Sequence, residues 1–233
     1  MDFNYQKVQP GVYDFSNSHF SLRKRWHDLK FSEALKKIKI KDYTHLLDLG
    51  CGPGYFIEHY GNSVPMILGF DISRPQINHA KLNFSKSNVK FTDSKSEVNK
   101  FVEDARSGTL LVTCFEVIEH LNTSELSELF SEISSKHNLK MTVLVTTPNK
   151  NSTWPIIEKL IDRLLGTNYA IQHKNLLSRK EAEKILISVF KGWAIKSGSY
   201  LSILHWLIKI PFPTYKFFTF TGNLNYFVLN SKL

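Results

Sequence analysis

The chain has 233 residues, 42% hydrophobic and 22% charged, enough for one ordinary domain with a buried core and too balanced for a disordered or collagen-like chain. Its net charge of +9 is unevenly spread: residues 1–41 hold nine basic and four acidic side chains, 191–233 hold five basic and no acidic ones, and 42–190 hold sixteen against seventeen. The two cysteines, Cys51 and Cys114, exclude a disulfide framework and a Cys-based zinc module, so a reducing, cytoplasmic setting is expected.

The N-terminus carries Asp2 and Lys7 and then polar residues, so no apolar stretch there suits a signal peptide. Residues 1–41 read as a basic helical extension, with Arg23-Lys24-Arg25-Trp26-His27 inside Ser18–Ile40. That run is either a solvated helix face or a cluster that attracts phosphate or an anionic head group. Residues 42–233 read as one domain in which short apolar runs alternate with helical spacing. The runs are Thr44–Leu49, Pro65–Phe70, Val89–Phe91, Thr109–Cys114 and Met141–Thr147. A helix is expected from near Tyr55. Another spans Ser124–His137, with Leu126, Leu129, Phe130 and Ile133 on one face and Thr123 or Ser124 as N-cap. A third, Ser178–Phe190, opens with a Ser178-x-x-Glu181 capping box.

Residues near 150–177 exceed what a minimal alternation needs. Within them Trp154, Ile157, Leu160, Ile161, Leu164 and Leu165 have helical spacing, with Pro155 in the first turn and Gly166 as the stop. This helix either packs over the core or forms a lid. Further on, Leu201–Phe218 is apolar and aromatic, suited to a pocket wall or a bilayer surface, and Leu224–Asn230 alternates as a sheet edge would. The uncharged runs Ser197–Ile208 and Phe217–Ser231 fall short of the ~20 apolar residues a spanning helix needs, so a soluble or peripherally membrane-bound protein is expected. Strand–helix alternation predicts an α/β, doubly wound, mostly parallel sheet with helices on both faces. In such sheets ligands bind at the carboxyl ends of the strands, where Asp48, Asp71 and Asp93 all fall.

The segment Asp48-Leu49-Gly50-Cys51-Gly52-Pro53-Gly54 joins a strand to a helix. Glycines there let the backbone turn tightly and approach a ligand. A dinucleotide loop needs glycine where Tyr55 stands, and no Lys-Ser/Thr pair follows to make a phosphate-binding P-loop. The string resembles the first motif of class I S-adenosylmethionine-dependent methyltransferases. The resemblance extends over residues 40–200. Gly69-Phe70-Asp71-Ile72-Ser73 resembles the second motif, Phe91-Thr92-Asp93-Ser94 the adenine-binding segment, and Thr113–Leu121 the segment beside the transferred methyl. It implies a Rossmann-like methyltransferase sheet with an antiparallel C-terminal strand. It also implies S-adenosylmethionine held by Asp48, Gly50, Cys51, Gly52, Gly54, Asp71, Ile72, Asp93 and Phe115. The Asp71 carboxylate would hold the ribose diol.

Methyl transfer to a hydroxyl also requires the acceptor proton to leave, through a base or a metal. Glu116-x-x-Glu119-His120, read as a helical turn, places three such groups on one face. The segment resembles the Glu-x-x-Glu-His arrangement of ubiquinone-pathway O-methyltransferases and small-RNA 2′-O-methyltransferases. That resemblance implies Glu116, Glu119, His120 and His173 around a divalent Mg, Mn, Fe or Zn ion. In the other reading His120 is a lone base or a structural residue. Cys114 reads as a small core residue, since methyl transfer needs no covalent intermediate. The expected activity is O-methylation of a small, glycan or lipid-linked acceptor. An RNA 2′-hydroxyl as acceptor and a non-catalytic cofactor-binding scaffold are the alternatives, and the oligomeric state is left open.

Overall fold

The computed structural model describes Gln6, Pro10 and residues 22–136, 138–156, 159, 163, 173–201 and 222–231. In chain order the elements are α1 (Leu22–Leu35), β1 (His45–Leu49), β2 (Met66–Phe70), α2 (Arg74–Phe84), β3 (Val89–Thr92), α3 (Lys95–Asp104) and β4 (Thr109–Phe115). They continue with α4 (Thr123–Ser134), β5 (Lys140–Pro148), α5 (Arg179–Val189), β6 (Ala194–Tyr200) and β7 (Leu224–Asn230). The seven strands form one sheet in the order β3-β2-β1-β4-β5-β7-β6. All pairings are parallel except those of β7, which runs antiparallel to both neighbours. The chain winds outward from β1 in one direction and from β4 in the other, and the crevice between their carboxyl ends is where such sheets bind ligands.

Period-two alternation assigns successive side chains to opposite faces. Leu46, Leu111, Leu144 and Val228 pack with Trp26, Phe31, Ile77 and Ala80 of α1 and α2. Leu47, Val112, Val143 and Leu229 pack on the other side with Val98, Phe130 and Leu186 of α3, α4 and α5. Each fully buried leucine contributes roughly 2 kcal/mol. With both faces covered, the central strands read as continuous apolar runs.

The structure corrects several expectations. Leu224–Asn230 lies inside the sheet; the edge is Ala194–Tyr200, whose Lys, Ser and Gly residues break the apolar pattern of a strand. The N-cap of α4 is Asn122, because only Asn122 has a Glu three residues on: its Oδ1 accepts from the Glu125 N–H at 2.9 Å, and Glu125 accepts in return from the Asn122 N–H. The Ser178–Glu181 capping box forms as read. Of the expected Trp154–Leu165 helix, Trp154–Ile156 is helical and most of the rest, with Gly166, lies outside the described residues. So does Leu201–Phe218 beyond Leu201. No helix among the described residues is long and apolar enough to cross a membrane.

Candidate active site

The loop after β1 turns through three left-handed glycines, Gly50 (φ 75°), Gly52 (φ 52°) and Gly54 (φ 90°). The N–H groups of Gly50 and Cys51 donate to the Phe70 carbonyl at 2.8 and 3.0 Å, tying the loop to the end of β2. A Cβ on Gly50 would lie 2.3 Å from Val117 Cγ2, so glycine is what lets the loop pack against the turn after β4. A Cβ on Gly52 would meet no heavy atom within 4 Å, leaving room for a ligand against the backbone.

Around this loop stand the three strand-end acids. Asp48 is 2% exposed and its Oδ1 accepts from the Thr113 hydroxyl at 2.6 Å. Burial pushes its carboxyl up to about 7; the Thr113 hydrogen bond opposes this, the Asp71 charge adds to it, and the Lys30 charge opposes it. Asp71 uses both oxygens, accepting from the Gly52 N–H at 2.9 Å and the Ser73 N–H at 2.8 Å. Burial raises its pKa and the two backbone donors oppose the rise. An ionised carboxylate has about four acceptor positions, so each oxygen keeps capacity for a diol. Ile72 beside it is 58% exposed, and the flanking backbone is bridged by the Gln6 amide, which donates to the Ile72 carbonyl and accepts from the Arg74 N–H. Asp93 pairs with Arg74 Nε at 3.1 Å. Cys51 and Cys114 are buried with thiols pushed well above their usual pKa, which makes them packing residues rather than nucleophiles.

At the end of β4, Phe115 is buried against Phe31 and Phe56. The next residue departs from the expected helical face. Glu116 is left-handed (φ 56°), its N–H still paired with the Thr146 carbonyl as a continuation of the sheet, and only Ile118–His120 forms a 3₁₀ turn. A left-handed Glu costs roughly 1–2 kcal/mol, an outlier of the kind concentrated at functional sites. The structure brings Glu119, His120 and His173 together, with one ligand atom from each lying within 4.8 Å of the others. The His120 and His173 rings are 5.0 Å apart, and the Asn175 N–H donates to the Glu119 carbonyl, fastening the His173 segment to the turn. Glu116 stands outside that group and pairs instead with Lys30 Nζ at 3.4 Å.

Both carboxylates show the same asymmetry. Glu116 Oε2 is held by Lys30 and Glu119 Oε2 by the Thr147 hydroxyl at 3.0 Å, while Oε1 of each is buried with no hydrogen-bond partner. Burial and the neighbouring Glu116 charge raise the Glu119 pKa. Of the two carboxylates, Glu119 with the His120 and His173 imidazoles forms a donor set suited to a divalent cation.

Helix α1 roofs this region. Trp26 stacks on Trp154 at 4.9 Å and 11°, joining α1 to the segment after β5. Asp28 accepts from the Tyr55 and Tyr60 hydroxyls and from Lys24 Nζ, anchoring α1 beside the glycine loop. Lys30, Thr113 and Thr147 are site residues that sequence reasoning missed. Both threonines interrupt apolar runs at the carboxyl ends of strands, a usable signal. Lys30 has none, because nothing in its own helix points to Glu116.

Comparison with known proteins adds an independent line. The family described as methyltransferase domain matches residues 22–188. A small RNA 2′-O-methyltransferase of Arabidopsis thaliana is 33% identical over 129 residues, 50% of this chain and 13% of that protein. A ubiquinone biosynthesis O-methyltransferase of Rhodopseudomonas palustris (strain BisB5) is 28% identical over 122 residues, 52% of this chain and 47% of that protein. The matches thus span about half of one relative and a small part of the other. The solved structure of a SAM-dependent methyltransferase from Archaeoglobus fulgidus has a TM-score of 0.60 at 20% identity, covering 94% of this chain and 98% of that one; it shows the shared fold.

Proposed function

Because the chain belongs to the methyltransferase domain family, we propose that it transfers the methyl of S-adenosylmethionine to a hydroxyl of a small, glycan or lipid-linked acceptor. The hydroxyl is gripped at the Glu116–Glu119–His120–His173 end of the crevice. The observation that carries this reading is the pair of buried carboxylate oxygens, Oε1 of Glu116 and of Glu119, left bare while their sister oxygens are held. Leaving a buried acceptor unsatisfied costs roughly 1–3 kcal/mol, more for a charged group, so the arrangement is explained by something these oxygens bind.

The cofactor fits the loop. Asp71 retains acceptor positions for the two ribose hydroxyls, Gly52 leaves space for the methionine portion, and Asp93 and Ile72 border the adenine side. Asp48, Gly50, Cys51, Gly54 and Phe115 shape the cradle. At the other end Glu116, Glu119, His120 and His173 are the residues that would hold a divalent ion. When bound, it supplies positive charge that lowers the pKa of the acceptor hydroxyl. The protein's task is alignment: the acceptor oxygen attacks the methyl in line, the C–S bond breaks, and S-adenosylhomocysteine leaves with both bonding electrons. In the alternative without an ion, the hydroxyl proton passes to His120 acting as a lone base.

The match to a small RNA 2′-O-methyltransferase supports a second reading in which the hydroxyl belongs to RNA. One experiment separates the readings. Methyl incorporation from radiolabelled S-adenosylmethionine is followed with a phenolic lipid, a glycan and an RNA oligomer, for wild type and Glu119→Gln. Incorporation into a hydroxyl acceptor that falls at least about tenfold in Glu119→Gln is expected. A Glu119→Gln variant of full rate removes the metal reading. Incorporation confined to RNA, with salt-dependent affinity, selects the second acceptor. Absence of S-adenosylmethionine binding by isothermal titration would remove both enzyme readings.

A further inference from the structure

We propose that Lys30 is the resident counter-cation of the buried carboxylate pair, and that a divalent ion must take Glu116 from it. The inference rests on the metal reading of the same site.

Lys30 reaches the site from α1, far from it in sequence, with a side chain 5% exposed against 17% for Glu116. Burying an ammonium costs several kcal/mol, and one contact at 3.4 Å is a poor return. The helix nevertheless holds it in place. The Tyr200 hydroxyl donates to the Lys30 carbonyl, and Nζ lies 4.8 Å from the centre of the Phe31 ring. Trp26, one turn earlier, is fixed by Trp154, and Asp28 by Tyr55 and Tyr60.

The consequence is visible in which ligands are gathered. Glu119, His120 and His173 already form a group, whereas Glu116 is turned to Lys30. Two carboxylates without a cation repel one another, and Lys30 neutralises one of them. It does so from the side of Oε2, leaving Oε1 bare. An incoming dication would meet both the free oxygen and the fixed ammonium. Even at an effective dielectric of about 20, repulsion between an ammonium and a dication several ångströms apart is worth more than a tenfold change in affinity. The N-terminal helix thereby sets the affinity of the site and keeps the ion exchangeable.

Titration calorimetry with MnCl₂ alone tests this on the full chain, with S-adenosylmethionine affinity and the melting temperature as checks of the fold. Lys30→Met should bind Mn²⁺ at least about tenfold more tightly than wild type, and Lys30→Arg, which keeps the charge, should resemble wild type. Lys30→Gln is a second neutral variant whose amide can still donate to Glu116; it should tighten binding too. Unchanged or weaker Mn²⁺ binding in both neutral variants overturns the proposal, and weaker binding would make Lys30 an orienting residue for Glu116. Tightening in the neutral variants upholds it even if wild type takes up no Mn²⁺. If no variant binds Mn²⁺, the metal reading falls and this inference falls with it.

Discussion

Replacing Asp48 by Asn should make the protein progressively more stable than wild type as pH rises. The side chain is 2% exposed, and burial lifts its pKa from 3.8 to about 7. Between those values the folded state holds a proton that the unfolded chain has released, so wild-type stability falls with pH across the window. At about 1.4 kcal/mol per pKa unit the full loss is about 4 kcal/mol, of which about 2.5 kcal/mol accrues between pH 5 and pH 8. Asn is neutral throughout and its Oδ1 can still accept from the Thr113 hydroxyl. The assay is urea unfolding of both proteins, without cofactor, at several pH values in that range. The stability advantage of Asp48→Asn should grow by about 2.5 kcal/mol from pH 5 to pH 8. Parallel pH profiles would refute the argument, because they would mean that Asp48 titrates alike in the folded and unfolded chains. With the raised pKa, the wild-type charge above pH 7 is retained at a stability cost, and weaker S-adenosylmethionine binding by Asp48→Asn would identify what it serves.

Two further outcomes follow from the loop. Asp71→Ala removes an acceptor for the Gly52 and Ser73 N–H groups and, in the proposed cofactor site, for the ribose diol. At about 1.5 kcal/mol for each of two charge-assisted hydrogen bonds, S-adenosylmethionine should bind roughly 100-fold more weakly by calorimetry; a change under about threefold would remove Asp71 from the cofactor site. Gly50→Ala places a methyl 2.3 Å from Val117 Cγ2 in a left-handed backbone. It should cost about 3 kcal/mol in urea unfolding, and adding Val117→Ala should recover the share due to overlap but not that due to φ. A fully stable Gly50→Ala protein would show that the loop and the turn after β4 are not tightly packed.

How far the sequence reaches depends on the range of the physics. Strand–helix alternation and the Gly50-x-Gly52-x-Gly54 turn are local, and a left-handed backbone leaves a mark in the residue type. The fold and the strand-end positions of Asp48, Asp71 and Asp93 were therefore legible. The Asn122 cap is legible too, through its Glu125 partner rather than through the residue's own propensity. Glu116 misled because i, i+3, i+4 spacing presumes a helix, and here the sheet persists one residue further through the Glu116–Thr146 hydrogen bond. The edge strand was hidden for the opposite reason. Ala194–Tyr200 carries Lys196, Ser197, Gly198 and Ser199, and takes its strand conformation from β7 rather than from its own side chains. Lys30 lies beyond any local signal, because its partner is set by how α1 crosses the sheet.

The same packing changes what the charge means. Nine basic residues in the first 41 suggested a surface for a polyanion. Among the described residues, Lys24 pairs with Asp28, Lys30 with Glu116, and Lys36 with Glu33. The central run Arg23–His27 is no purely solvated face either, since Trp26 is buried in the stack with Trp154. Only Lys30 of the three draws on the N-terminal excess, because Asp28 and Glu33 belong to the same segment, and its charge is spent on Glu116. An RNA acceptor then has to be argued from hydroxyl chemistry at Glu116, Glu119, His120 and His173 rather than from the net charge. That chemistry serves a phenolic lipid or a sugar equally well. The net charge therefore does not choose between RNA, lipid and sugar, and the acceptor assay does.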